Sequence, residues 1–430
     1  MAYHWWISVT ILCGLQLATA IYLAYQTTTT TPGVPGCRRL GLIGRSNFFD
    51  LHMKQEITSA ICKVKALFIY PLTSCAPVEL DVAEVEPSGL RYDRLLTLAQ
   101  LETKRVDKEP GDMSVSTEWR HYWRSIDRQY FPRLALLTTQ IWVPDPSSPS
   151  YSPECEWVQS QGCIVGRFSF KPDWSWNIHD RDARAKNWEI LTAIIYQRSM
   201  NAEPCVEFRI PFLPTGERAE ERHYTREDVL FGKVRLHATN MANELPPDVL
   251  AKLKYFLGVS NPLALFRIDQ EEQWNVLKNA PSTKEAGYEP SMRPDDACPL
   301  HPLKVASVHH LASSLPESHS RDLSALRFRA NIYIEGSSAF PEDNWKLLRI
   351  GNSTYQVSRH TARCRLLNID SKTGTEDHNE LERTPNKRCA IDEDAKPGAC
   401  LDVQILPLLR YVGALEKIVV GDVVEVIETV

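Results

Sequence analysis

"ICKVKALFIYPL" occupies residues 61–72, and its reading decides the fold. Polar and apolar side chains alternate, and branched and aromatic residues are frequent, which is the pattern of a strand with one face buried. The theme recurs between turn residues in "VELDVAEVEP" (78–87), "CIVGRFSF" (163–170), "WEILTAIIY" (188–196) and "VEFRIPFL" (206–213). It returns towards the carboxyl end in "RANIYIEG" (329–336), "WKLLRIGNSTYQV" (345–357), "CRLLNID" (364–370) and "EKIVVGDVVEVIE" (416–428). The prediction is a β-rich α+β chain with twisted or barrel-like sheets. One helix is expected in "NELPPDVLAKLKYFLGV": prolines open it, Leu250, Leu253 and Leu257 share a face, and Gly258 ends it. Residues 147–154 and 279–299 read as loops.

The chain has 430 residues, 43% hydrophobic and 24% charged, with a net charge of -5. That length holds two or three domains. The acidic balance argues against a nucleic-acid binder, which would show a strongly basic face. Eleven cysteines are scattered with no C-x-x-C pair, so they read as mostly reduced thiols. From Trp5 to Tyr25 the 21 residues carry no charge. As a helix they rise about 30 Å, the thickness of a bilayer core. Ala18-Thr19-Ala20 resembles a signal-peptide cleavage site, but no basic segment precedes the apolar run, and the run continues past Ala20. A single membrane anchor over residues 1–30 is the expectation. Arg38, Arg39 and Arg45 follow it, which leaves the body facing the cytosol.

"RHTARCRLLNIDSKTG" (359–374) sets Cys364 among Arg359, His360, Arg363, Arg365 and Lys372 and ends in a turn-like Asp-Ser-Lys-Thr-Gly. Cations lower a thiol pKa and favour the thiolate. By itself the stretch leaves Cys364 open as a packing residue, a nucleophile or a metal ligand. Phosphate-loop, dinucleotide, zinc-protease and hydrolase-elbow motifs are absent.

Four segments in order resemble the MOSC proteins. "LFIYPLTSCAPVEL" (67–80) with "GLRYDRLLTL" (89–98) resembles their amino-terminal β-barrel. "PLHPLKVASVHHL" (299–311) with "LRFRANIYIEG" (326–336), then "ARCRLLNIDSKTG" (362–374) and "IVVGDVVEV" (418–426), resemble the MOSC domain itself. The membrane-anchored members are amidoxime-reducing components with a molybdenum cofactor. The resemblance implies an anchor over 1–30, a linker over 31–59, a β-barrel domain over 60–240, a helical connection over 241–290 and a MOSC domain over 291–430.

It further implies that Cys364 is the thiolate ligand of molybdenum in a molybdopterin cofactor. Thr73, Ser74, Arg94, Ser307, Arg329, Asn331 and Arg363 stand at cofactor-binding positions. Arginine suits a phosphate because its planar fork pairs two oxygens. The implied reaction is N–O bond reduction of an N-hydroxylated small molecule. Electrons would come from a b-type cytochrome and its NADH-dependent reductase, on the mitochondrial outer membrane or the endoplasmic reticulum.

Three departures bear on the cofactor site. Thr73 stands where the family has lysine, Ala330 where proline is common, and Ala362 where serine is frequent. Lys304, in a usually uncharged place, is the candidate replacement charge. Cys75 and Cys298 read as packing residues, His309 and His310 as an exposed or locally bonded pair, and His301 as a group near the site. Two alternatives remain. One is a cofactor carrier or sulfur-transfer module like the carboxy-terminal part of cofactor sulfurases, whose pyridoxal-phosphate domain finds no room in this chain. The other is a non-catalytic scaffold.

Overall fold

The Cys62–Ile69 strand lies inside a sheet, not at its border. In this computed structural model, which describes residues 33–48, 61–107, 117–172, 181–197, 203–232, 234–268, 274–275, 280–292, 299–313, 323–336, 338–362, 365–376, 400–409 and 416–430, it pairs antiparallel with both Ile332–Glu335 and Val423–Thr429. The eight-stranded sheet continues outward to Pro302–Lys304 on one side. On the other it runs through Trp345–Ile350 and Ser353–Ala362 to Cys400–Leu408, and Val78–Leu80 also pairs with the central strand. The sheet thus draws strands from both sides of the boundary expected at residue 291.

Both faces of the central strand are covered. Val64, Leu67 and Ile69 belong to the main core, while Ala66, Phe68 and Tyr70 face a second cluster under the helix Val305–Ser313. Strict alternation would put Val64 with Ala66; a bulge where Tyr333/Ile334 meet the strand shifts the phase by one. In the second cluster Phe48, Phe68 and Tyr333 meet edge to face at centroid distances of 4.9–5.4 Å, the arrangement their quadrupoles favour.

The strands Thr225–Phe231, Val234–Asn240, Leu263–Ile268, Leu96–Asp107 and Thr117–Ser125 close into a barrel through the parallel pairs Val229↔Trp123 and Leu230↔Arg124. Ala99, Ala238 and Ala264 with Phe231, Leu236 and Phe266 fill its interior. A four-stranded sheet of Cys37–Leu40, Thr138–Pro144, Cys163–Ser169 and Cys205–Pro211, and a small sheet of Glu416–Val419, Val82–Glu86 and Gly89–Leu90, complete the β structure.

The expected helix runs Pro247–Leu257, with Gly258 at φ 76 as its left-handed cap, and buries Val249, Leu253, Phe256 and Leu257. Two strand expectations are corrected. "WEILTAIIY" lies in the helix Arg181–Gln197. Ile190 and Ala193, three residues apart, are its buried positions among the described residues, so the run has helical period despite its branched residues, and the strong helix formers before it extend the element. Within "CRLLNID", Arg365–Asn368 is a 3-10 turn that buries Leu367 and Asn368. The expected anchor lies outside the described residues, as do 31–32 and 49–59 of the expected linker; within 33–48, Cys37–Leu40 pairs with Thr138–Pro144, and Val34, Cys37 and Phe48 are buried, so this part is built into the fold. Among those described, no helix is long and apolar enough to cross a membrane.

Candidate functional site

Beyond Ile69 the chain leaves the sheet through Tyr70–Cys75 and runs beside the segment Asp93–Leu96. The Tyr70 N–H donates to Asp93 Oδ1 at 2.7 Å. The Arg94 N–H donates to the Tyr70 carbonyl at 2.9 Å, and that of Thr73 to the Leu96 carbonyl at 2.8 Å. Asp93 also accepts from the Arg94 guanidinium and from Asn331 Nδ2, the latter at 3.1 Å. One buried carboxylate thereby joins three segments far apart in sequence.

Tyr70 is the hub. Its ring lies 4.1 Å from the Arg329 guanidinium carbon and 5.3 Å from that of Arg94. Its hydroxyl donates to the Ala330 carbonyl at 3.2 Å. Burial pushes the phenol up, and the three nearby guanidiniums of Arg329, Arg94 and Arg128 act against that rise. Ser74, Arg94 and Arg329 all have positive φ, at 64°, 49° and 55°. A side chain there costs about 1–3 kcal/mol, and such strain concentrates at ligand sites.

The predicted residues divide into groups. Thr73, Ser74, Arg94, Arg329 and Asn331 are brought together around Tyr70, and all are buried. Asn331 Nδ2 also donates to the Phe68 carbonyl at 3.1 Å. Among the described residues, Thr73 Oγ1 is buried without a hydrogen-bond partner. Ser307 has a different setting: its hydroxyl donates to Glu342 and accepts from the Phe340 N–H at 2.9 Å. Arg363 and Cys364 lie outside the described residues, as does Cys298. His310 is exposed, with its ring edge to face with Phe340. His301 is buried 3.4 Å from Asp402. Cys75 is buried, and burial pushes its thiol up to about 12, so it is a packing group.

Lys304 does not supply the missing charge. Its ammonium donates to the Gly336 carbonyl and to Cys62 Sγ, at the start of the central strand. Thr73 lies past the other end of that strand, about 20 Å away at 3.3 Å per residue.

Two further arginines lie at these turns: Arg327, inside the quoted segment 326–336, and Arg128, outside every motif. Arg327 donates to Asp370 Oδ2 at 3.0 Å and to the Leu367 carbonyl at 3.3 Å. Arg128, 2% exposed, donates from Nε to the Ser74 carbonyl at 2.6 Å, from Nη2 to the Cys75 carbonyl at 2.8 Å and from Nη1 to Ser371 Oγ at 3.4 Å. Arg128 therefore ties the Ser74 turn to the Asp370–Gly374 turn, six residues or more past Cys364.

That second turn is tightly built. Asp370 Oδ1 accepts from the N–H groups of Lys372 at 2.6 Å and Thr373 at 3.1 Å. Burial alone would raise the Asp370 carboxyl, but those two bonds and Arg327 bring it below its ordinary value. Gly374 has φ 62, and a Cβ there would lie 2.9 Å from Leu136 Cγ and 3.3 Å from Arg133 Cα. Gly374→Ala is expected to cost about 2 kcal/mol from strain plus overlap, read as a lower urea midpoint with unchanged slope.

Glu342 is 1% exposed, and among the described residues one of its carboxylate oxygens is buried without a partner. Burial first, and then the nearby Asp402, push it up to about 8, against the Ser307 bond. Between the ordinary value of 4.5 and 8 the folded chain holds a proton that the unfolded chain has lost, so stability falls as pH rises through that window. Glu342→Gln keeps the acceptor for Ser307. It is expected to flatten the fall and to exceed the parent by about 2 kcal/mol at pH 8.5, checked by urea melts at pH 5, 7 and 8.5.

Residues 291–425 match the family model described as MOSC domain. This chain carries a MOSC domain. Its relatives fall into two groups. Mitochondrial amidoxime-reducing component 1 of Mus musculus is 35% identical over 132 residues, 30% of this chain and 36% of that protein. Mitochondrial amidoxime reducing component 2 of Rattus norvegicus is 33% identical over 123 residues, 29% of this chain and 34% of that protein. Molybdenum cofactor sulfurase of Homo sapiens is 40% identical over 102 residues, 21% of this chain and 11% of that protein. The matched stretch spans about a third of the first two relatives and about a tenth of the third. The MOSC strands Ile332–Glu335 and Val423–Thr429 are those that flank Cys62–Ile69, so the Tyr70 turn begins where the MOSC sheet ends.

Proposed function

We propose that this chain is a molybdenum-cofactor oxidoreductase that reduces an N-hydroxylated small molecule at its N–O bond. The observation that supports it most is the gathering of Arg94, Arg128 and Arg329 around Tyr70 and the strained Ser74 turn. Buried guanidiniums and an unpartnered Thr73 hydroxyl suit the phosphate of a molybdopterin. In this reading Thr73, Ser74, Arg94, Arg329 and Asn331 shape that end of the pocket. Arg363 and Cys364 complete it, Cys364 as the metal ligand by family resemblance. When bound, the cofactor supplies two-electron oxygen-atom chemistry.

The chain's own contribution is positional. Asp93 holds Arg94 and Asn331, Tyr70 stacks Arg329, and Arg128 joins the Ser74 turn to the turn after Cys364. Ser307 acts through Glu342 and the Phe340 backbone. Electrons would arrive from a b-type cytochrome and its NADH-dependent reductase. An amino-terminal helix would hold the body at a membrane, mitochondrial as the relatives' names suggest, or at the endoplasmic reticulum. The body would divide into a barrel domain up to residue 240, a connection and the MOSC domain.

The similarity to cofactor sulfurases favours a second reading, a module that carries the cofactor or accepts its sulfur. The test is molybdenum content of the purified chain by elemental analysis, then turnover of benzamidoxime with an artificial electron donor. About one metal per chain with turnover supports the oxidoreductase; metal without turnover on N-hydroxylated compounds supports the carrier; no metal in a cofactor-replete host refutes both and leaves a scaffold.

A further inference from the structure

We infer that the groove where strands Thr117–Ser125 and Thr225–Phe231 part is a docking site for an acidic segment of a partner protein, bound as an added β-strand in which carboxylate and apolar side chains alternate. The site is separate from the Tyr70 cluster and does not rest on the proposed function. The Leu96 carbonyl accepts from Thr73 at that cluster. Lys104, in the groove, lies eight residues further along the same strand (96 to 104), about 26 Å away.

Backbone opens the groove. The two strands run parallel and close the barrel, yet they pair only at Val229↔Trp123 and Leu230↔Arg124. Among the described residues no backbone bond joins 117–122 to 225–228. The 117–122 stretch is thus bonded to Leu96–Asp107 on one side and turns a bare strand edge to the groove on the other. The groove encloses about 950 Å³. A row of unpaired N–H and C=O groups is a template for a further strand.

Side chains then select the guest. Successive residues of a strand point to opposite faces. Trp123 packs on Phe266 inside the barrel, so Trp119 and His121 lie on the inner face, where Trp119 stands 62% exposed at the mouth. The outer face is cationic. Lys104 and Arg120 sit directly opposite each other on it, an arrangement of like charges that costs stability. Among the described residues Lys104 has no carboxylate within ion-pair distance. Arg226 and Arg235 add to that face from the neighbouring hairpin. Both carboxylates of the groove are already engaged. Glu227 accepts from Trp123 Nε1 at 2.5 Å and from Asn240 Nδ2 at 2.9 Å. Asp228 lies 2.5 Å from His237 Nδ1 and 3.7 Å from Arg235 Nη1. A strand laid along 117–122 therefore sets every second residue against cations and the residues between them against Trp119. Carboxylates suit the first set and apolar side chains the second.

Charged edges also serve to block pairing, and binding tells the two roles apart. The probe is a fluorescein-labelled peptide of alternating glutamate and valine with a central phenylalanine. It is titrated with the full-length chain and followed by anisotropy at low and physiological salt. Saturable binding is expected, weaker at the higher salt, with none by a peptide carrying lysine in place of glutamate. Trp119→Ala and Lys104→Glu, both at exposed positions, are each expected to raise Kd about tenfold. Methylation of every second peptide N–H is expected to cost at least tenfold in one of its two registers, and this arm needs no variant to fold. Undiminished binding in both registers overturns strand addition. Failure of the acidic peptide to bind overturns the site and leaves the cations as guards of the edge. Tighter binding of an oligothymidylate of equal charge gives the groove to nucleic acid, and a dimer of the chain that Trp119→Ala dissociates gives it to a second copy; either overturns the partner segment.

Discussion

Arg329→Ala is expected to strip the protein of the proposed cofactor while leaving the fold largely intact. Arg329 stacks on Tyr70 at 4.1 Å and donates to the Cys75 carbonyl at 2.9 Å. A buried cation–π contact is worth about 2 kcal/mol, and a hydrogen bond from a charged group about 1.5–3 kcal/mol. Removal of the cation also relieves its repulsion with Arg128, of about 3 kcal/mol. The two nearly offset in the unloaded chain, so its urea midpoint should move by less than about 1–2 kcal/mol in equivalent stability. No such relief exists when an anion is bound. Affinity should then drop by one to two orders of magnitude, since about 1.4 kcal/mol is a factor of ten. Metal and pterin content per chain after gel filtration is the measurement. Unchanged content in a well-folded Arg329→Ala protein would remove Arg329 from the site.

Cys364→Ser should have the larger effect on turnover. A metal-bound thiol is deprotonated, and metal and cations both favour that state. A serine hydroxyl stays protonated near neutral pH and is a harder, weaker donor to a soft sulfur-ligated centre. Benzamidoxime reduction is expected to fall at least a thousandfold, about 4 kcal/mol in barrier, with a changed metal absorption spectrum. Pterin content should fall less than in Arg329→Ala, because in the proposed site the guanidiniums, not the thiolate, would hold the phosphate. Full turnover in Cys364→Ser would end the metal-ligand assignment.

The parts of the molecule legible in the sequence are those whose local pattern and tertiary role agree. The Pro247–Leu257 helix carries its own start, stripe and stop, so packing has nothing to override. The Cys62–Ile69 strand is readable as a strand, but its central place is not: pairing with residues 332–335 and 423–429 is a long-range fact. Arg181–Gln197 reads as a strand from sequence because Ile190, Thr192, Ile194 and Ile195 favour strands locally, while only the three-residue spacing of Ile190 and Ala193 shows the helix. In the site, family motifs pointed to Arg94, Arg329 and Asn331, which meet at Tyr70. Arg128 was missed because one arginine in "SIDRQYFPR" (125–133) looks like any surface cation; only its burial against the Ser74 and Cys75 carbonyls sets it apart. Lys304 was misjudged for the opposite reason. Its charge was visible in the sequence, but the strand that carries it points that charge at Gly336.

The central position of Cys62–Ile69 also dictates when this protein can fold during synthesis. One neighbour of that strand is made some 260 residues later, and the other, Val423–Thr429, some 360 residues later. Until then an apolar ribbon with free backbone donors and acceptors waits, open to pairing with the wrong chain. Nascent chains stalled before residue 423 should therefore depend on chaperones, and a MOSC fragment expressed alone from residue 291 should aggregate unless residues 61–70 are supplied in trans.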